Sequence, residues 1–394
     1  MQQNKEKSPA LVIEYTDAEE GFQGWLVIDT LDHNLCAGGL RVQPGLSRDR
    51  LAQMARNMTC KMRICGLRVD GAKSGIDYDP AAPGKKAAIT RFMLAIRPYI
   101  MNRYSMGPDL NVDMAELESI GRELGLPSVK MAVASAQGFE QSYFSERYQI
   151  LTQEIDGWPL GKVRVGYGVA VATLAVLDYL GVSHGQASVA IQGFGNLAKA
   201  AAFGLNRKGV RIMALADHEK CIVSENEHGL DIKHLLKTEG PLLPEKNFGT
   251  DVRVAAREEI FNIPCDVLIP AALEKTITEQ VASDLQVKAV VPGANLAVTA
   301  DADHLLHQRD IIVLPDLLSG SGGSISMEGL FSPKDHPAAI EILKHVDKRM
   351  AELVHQTLAR SMAEKITPAQ AALRTCAEIV LQPGARPYEL KVKS

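Results

Sequence analysis

The stretch VDGAKSG (69–75) places a single lysine, Lys73, in a run of small residues just after the apolar patch ICGL. A surface lysine needs no such setting. A phosphate loop would carry more glycines and end in GK[ST], whereas the order here is AKSG. Taken alone, the stretch is either a solvated turn or a lysine held in a cleft, where burial depresses the amine pKa and makes it useful as an acid or base. A second stretch, SVAIQGFGNLAKAAAFGLNRKGVRIMALADHEK (188–220), carries a different chemistry. VAIQ reads as a strand, and Gly193-Phe194-Gly195-Asn196-Leu197-Ala198 follows at once and opens a helix. Gly193 permits a tight turn, Gly195 lets the backbone approach a pyrophosphate, and Ala198 stands in for a third glycine where helix and strand must be close. The free N–H groups of the helix start face the phosphates. Asp217 ends the next strand at the ~20-residue spacing of an acid that binds ribose hydroxyls and repels a 2′-phosphate. The pattern predicts a dinucleotide site, NAD by the acid, with His218 and Lys220 close enough to leave NADP open. The bland alternative is a Gly-rich turn without ligand and a turn aspartate.

The elements that must position these groups follow from periodicity. ALVIEY (10–15) and GWLVIDT (24–30) read as strands. Ser47 caps a helical pattern, RDRLAQMARNMTCKM, and further helices are expected over 85–100 and 113–125. This mixed region makes one α/β domain, 1–150. From about 165 to 330, ASVAIQ, RIMALAD, DVLIPA, KAVVPG and IIVLPD alternate with helices, which predicts an open, doubly wound parallel sheet. That second domain is set at 151–335. The remainder, 336–394, is helical to about 380 with Pro368 interrupting. SGSGGS (319–324) follows a strand end and is expected to be a ligand loop rather than a linker.

The chain has 394 residues, 46% hydrophobic and 23% charged, with net charge −4, which fits a soluble globular protein and argues against nucleic acid or a membrane surface as partner. MQQNKEKSPA has no apolar segment of a signal peptide, and no apolar run is expected to span a bilayer. Six cysteines without CxxC read as reduced thiols of a cytoplasmic protein, with no metal site.

AGGLRV (37–42), MTCK (58–61), DGAKSG (70–75), GPDLN (107–111), GYGVA (166–170), QGFGN (192–196), LIPAALE (268–274), PGAN (292–295) and LPDLLSGSGG (314–323) occur in one order. Together, over about residues 10–335, they resemble the glutamate/leucine/phenylalanine/valine dehydrogenases. The resemblance implies a two-domain α/β fold: an N-terminal domain that builds a homo-oligomer and holds substrate, then a Rossmann-type NAD-binding domain. It also implies final helices packing back toward the first domain, and an active site in the cleft. By resemblance, Lys73 is the catalytic lysine and Asp109 the catalytic aspartate. Lys61 holds the substrate α-carboxylate, with Ala37, Gly38, Gly39, Asn295 and Met327 also at the substrate. Gly193, Phe194, Gly195, Asn196, Leu197, Asp217, Ala271, Ala272 and Asn295 are implied at the dinucleotide. The implied reaction turns an amino acid into its 2-oxo acid and ammonia. Hydride leaves Cα, a lysine of depressed pKa activates the water that attacks the iminium, and the aspartate shuttles the amine proton. Lys61 and closure of the cleft are expected to lower the pKa of Lys73.

Departures from the family pattern bear on substrate. Glutamate-specific members have a lysine before GGxR and a serine after the double glycine. Ala37 and Met327 stand there, and a buried distal carboxylate left unpaired is costly. An apolar or small amino acid is therefore expected. Val165, Gly320 and Asp70 also depart, and Asp70 is placed to pair with Lys73. Arg68, Arg164 or Glu328 are alternative substrate contacts. The rival readings are a glutamate enzyme with a replaced carboxylate site and an inactive nucleotide- or amino-acid-binding homologue.

Overall fold

The computed structural model describes residues 8–249, 251–333, 335–381 and 386–389. Most of the N-terminal stretch read above for a signal peptide lies outside these residues. The chain divides into two compact units, 1–148 with 379–394, and 149–378.

The first unit is built on a mixed sheet of β1 (Leu11–Thr16), β2 (Gln23–Ile28), β3 (Cys36–Val42), β4 (Asp70–Ile76) and β5 (Tyr104–Pro108), in the order β1-β2-β4-β3-β5. β2 is antiparallel to β1 and β4, and β3 is parallel to β4 and β5. The solvated turn at VDGAKSG is corrected here: β4 is an internal strand, buried at every position. Glycine in it serves packing. A Cβ on Gly71 would stand 2.2 Å from Ala55 O and Thr59 N of α1 (Arg48–Ile64), so this helix crosses the strand at backbone contact. Ser47 does cap α1, accepting from Arg50 N.

The main core lies on the other face of the sheet. Leu26, Leu40, Tyr104 and Phe92 are buried there, with α2 (Lys85–Ala95), α3 (Arg97–Asn102) and α4 (Met114–Glu123). The single helix expected over 85–100 is two, because Pro98 has no N–H to continue the ladder and instead sits in the first turn of α3. α5 (Met131–Gln137) and α6 (Gln141–Gln149) follow. The segment 386–389 also belongs to this unit. The Gln137 amide donates to Tyr388 O and accepts from Tyr388 N, both at 3.1 Å.

The second unit opens with the short pair β6 (Glu154–Ile155) and β7 (Trp158–Pro159), then α7 (Leu160–Tyr179). Its main sheet holds β8 (Ser188–Gln192), β9 (Arg211–Ala216), β10 (Lys220–Ser224), β11 (Val252–Ala256), β12 (Cys265–Pro270), β13 (Val287–Val290) and β14 (Ile312–Val313). The order is β11-β10-β9-β8-β12-β13-β14. The five expected strands run parallel as predicted. β10 and β11 add an antiparallel edge that the alternation did not reveal: β10 follows β9 after a tight turn, and exposed β11 has little apolar pattern. Helices α8 (Asn196–Arg207), α9 (Ile232–Leu235), α10 (Glu279–Asp284) and α11 (Ala300–Gln308) lie between the strands.

α7 corrects the expectation that no run could span a bilayer. It is 20 residues long and apolar enough, and 78% of its apolar window is buried. A helix apolar all round is either a membrane span or a core helix. Here α8, α13 (Gly322–Phe331) and α14 (Ala339–Glu364) pack around it. SGSGGS is not a loop either. It runs from the end of α12 (Asp316–Ser319) into α13, and its small residues let Gly322 approach Gly168 of α7. α14 breaks at Lys365, whose φ is 53°, and α15 (Pro368–Glu378) restarts with Pro368 in its first turn. These C-terminal helices were expected to pack back toward the first domain. Within the second unit, α14 packs against α7 and α13.

Candidate active site

In the first unit β3, β4 and β5 bring three short segments together. Ala37 stands between Gly71 and Ser105, and Gly39 beside Gly107. Gly38 and Gly39 leave no side chain here, and a Cβ on Gly39 would stand 2.9 Å from that of Asp109. The result is a floor of small residues on the α1 side of the sheet. Lys73 and Asp109 meet at its margin, Nζ to Oδ2 at 3.2 Å. Arg41 donates from Nε to the same Oδ2 at 2.6 Å. The side chains of Lys73, Arg41 and Asp109 are 7%, 8% and 13% exposed. Burial alone would push the Asp109 carboxyl up, but the two cations outweigh it and hold it at about 2. Asp109 is therefore an anion throughout the ordinary pH range.

Two of these cations escaped the sequence reading. Arg41 had a signal, a charge in mid-strand within AGGLRV. Lys130 had none, since VKMAV reads as an ordinary surface lysine. Its Nζ donates to Met106 O of β5 at 3.0 Å and lies 3.7 Å from where a Cβ on Gly107 would stand. Lys61 is buried near the end of α1. The proposed pairing of Asp70 with Lys73 is overturned. Asp70 accepts from Thr30 Oγ1 at 2.7 Å and from the His33 amide at 2.9 Å. The two residues are three apart on one strand and so point to opposite faces.

In the second unit the predicted dinucleotide residues gather at the C-terminal ends of β8, β12 and β13, where open parallel sheets bind ligands. Gly193 has φ 118°, and a Cβ there would meet Ala271 O at 2.9 Å. Gly195 is the N-cap of α8, with no side-chain cap bond and open space where a Cβ would be. This leaves the α8 amide groups and a side-chain-free cradle for a pyrophosphate, so the residues fit the group. Asn196 and Leu197 begin α8, Ala271 and Ala272 follow β12, and Asn295 is exposed beyond β13. Phe194 is buried under Lys199, whose Nζ is 4.4 Å from the ring centroid. Asp217 directly follows β9, its carboxylate already engaged, accepting from the amides of Glu219, Lys220 and Leu243.

The other candidate contacts have structural partners. Arg68 donates to Glu389 and Arg386 O, and Arg164 to Gly323 O and Ser326. Glu328 accepts from His345 and Arg349 across α13 and α14. Met327 is buried within α13. Burial pushes the Cys36, Cys221 and Cys265 thiols up to about 12, so they are packing groups rather than reactive thiolates.

Family models match both parts of the chain: "Glutamate/Leucine/Phenylalanine/Valine dehydrogenase" over 161–382 and "Glu/Leu/Phe/Val dehydrogenase, dimerisation domain" over 9–125. The chain belongs to the Glu/Leu/Phe/Val dehydrogenase family. It is therefore an amino acid dehydrogenase by family, an oxidoreductase class acting on CH–NH2 donors with nicotinamide cofactors. The NADP-specific glutamate dehydrogenase of Saccharolobus shibatae is 29% identical over 77% of this chain and 69% of its own. The NAD-specific glutamate dehydrogenase of Clostridioides difficile is 30% identical over 73% of this chain and 66% of its own. Among solved structures, hetero-hexameric glutamate dehydrogenase from Thermus thermophilus superposes with TM-score 0.74 at 23% identity, covering 94% of this chain and 88% of that one. L-tryptophan dehydrogenase from Nostoc punctiforme gives 0.60 at 16%, covering 94% and 95%. These two likenesses establish the fold.

Proposed function

We propose that this dehydrogenase catalyses reversible, NAD-dependent oxidative deamination of an L-amino acid to its 2-oxo acid and ammonia. The observation that carries the reading is the buried Lys73–Asp109 pair at 3.2 Å beside a floor of small residues. Lys73 takes and returns the proton of the attacking water. Asp109 faces the substrate nitrogen as an anion, and Lys61 holds the α-carboxylate. The α8 N-terminus with Gly193–Leu197 holds the pyrophosphate, flanked by Ala271, Ala272 and Asn295. Bound nicotinamide supplies the hydride acceptor. We place the protein as a cytoplasmic homo-oligomer, consistent with its composition and with the dimerisation domain matched in its first unit.

The cofactor reading rests on Asp217. Its fixed carboxylate at the end of β9 disfavours a 2′-phosphate nearby. kcat/KM is expected to be higher with NAD than with NADP, and a clear NADP preference in that comparison would overturn the assignment.

For the substrate, Ala37 and Met327 favour apolar or small L-amino acids, with Gly38 and Gly39 forming the floor beside them. The rival reading, a substrate with a second carboxylate such as glutamate, has Lys130 in its favour, a buried ammonium close over Gly107. A substrate panel followed by NADH absorbance separates them. Apolar substrates should give the higher kcat/KM, and Lys130→Met should leave their ranking unchanged. If glutamate leads the panel and Lys130→Met removes that lead, the second reading replaces the first.

A further inference from the structure

Asp109 is bound asymmetrically. Arg41 Nε, at 2.6 Å, and Lys73 Nζ, at 3.2 Å, both approach Oδ2. Among the described residues no hydrogen bond reaches Oδ1. The arrangement is braced from several directions. The Asp109 N–H donates to Leu40 O at 3.0 Å, tying its backbone to the residue before Arg41. Arg41 Nη1 donates to Gln43 Oε1 at 3.2 Å, fixing the other edge of the guanidinium. The Arg41 side chain is 8% exposed, so its charge is poorly screened by water.

We infer that Arg41 is a positioning residue for the reaction, occupying Oδ2 of Asp109 so that Oδ1 is the oxygen presented to the substrate nitrogen. This rests on the dehydrogenase reading above. Arg41 is permanently charged, whereas Lys73 must give up its proton during water activation. When Lys73 is neutral, Arg41 remains to keep the carboxylate ionised and oriented. An anion at Oδ1 accepts an N–H bond and offsets the positive charge that develops on nitrogen as hydride leaves Cα. The charged and titratable groups around Asp109 are Arg41 from β3, Lys73 from β4 and the buried phenol of Tyr104 from β5, with Lys130 against the β5 backbone at Met106. Burial keeps Tyr104 neutral, so it does not substitute for Arg41.

The test uses Arg41→Gln and Arg41→Lys in the full chain. Carbon-13 NMR of labelled aspartate reads the Asp109 carboxyl directly, without turnover. In Arg41→Gln its titration should move up by roughly one unit or more, the size of losing a close opposite charge. Substrate KM should rise with it, because Oδ1 is no longer held toward the substrate nitrogen, while the NADH Kd stays the same. Arg41→Lys, which keeps the charge, should restore most of the titration shift and guards against a glutamine variant that fails to fold. An Asp109 titration unmoved in Arg41→Gln overturns the inference, as does a moved titration with an unchanged substrate KM. Failure of the dehydrogenase reading is separate: the wild-type protein would turn over no amino acid, whatever the Asp109 titration does.

Discussion

Lys73→Ala should lower kcat by at least the ~10²-fold that accompanies loss of a general acid–base group, with NADH binding little changed. The Lys73 side chain is 7% exposed and its amine lies 3.2 Å from Asp109, so its removal takes out the proposed base. Lys61→Ala should behave differently. In its proposed role Lys61 supplies ground-state carboxylate binding, so its loss should raise substrate KM more than it lowers kcat. Steady-state kinetics with both variants, paired with NADH fluorescence titration, makes the comparison. A Lys73→Ala enzyme with near-normal kcat would falsify the catalytic assignment and leave the lysine as a structural partner of Asp109.

Asp109→Ala should cost both rate and stability. The carboxylate is the shared counter-ion of Arg41 and Lys73, both nearly buried. Removing one member of such a set leaves uncompensated charge in a low-dielectric site, at a cost of about 3–5 kcal/mol. Urea unfolding of the variant should show that loss, and kcat should fall at least as far as in Lys73→Ala. The same network gives a pH dependence. Asp109 is held at about 2 in the folded protein, below its ordinary value of 3.8, so it binds fewer protons folded than unfolded. The stability it contributes is complete above about pH 4 and is lost as pH falls toward about 2. In Asp109→Ala this component of the acid-unfolding curve should be missing. A variant as stable as wild type, with the same acid limb, would show that the buried cations find other compensation.

Asp70 shows why spacing alone misleads. Directly before Gly71-Ala72 and three residues from Lys73, it looks like a partner for the lysine. In a strand, however, a separation of three sends side chains to opposite faces. Asp70 is spent on Thr30 and the His33 amide, while the true partner arrives from 36 residues further along. Asp217 is the converse case. Its position at the end of β9 was legible, but its three backbone donors were not, because Leu243 comes from a loop 26 residues away.

The sequence by itself determined the elements whose signal is local. The five parallel strands of the second unit, the Gly193–Gly195 turn opening α8 and the Ser47 cap of α1 each depend on residues within one or two turns of each other. Motif order sufficed for the family, because a set of short segments in one fixed order is specific even where each segment alone is not. Only the tertiary structure decided what depends on close approach between distant segments. β4 looks like a turn because glycine is poor in strands, and it is a strand because α1 needs backbone contact there. SGSGGS looks like a loop for the same compositional reason and is helical because small residues let α13 meet α7. Arg41 and Lys130 are brought to the floor of small residues by sheet register and by the path of the chain before α5, neither of which any local pattern encodes.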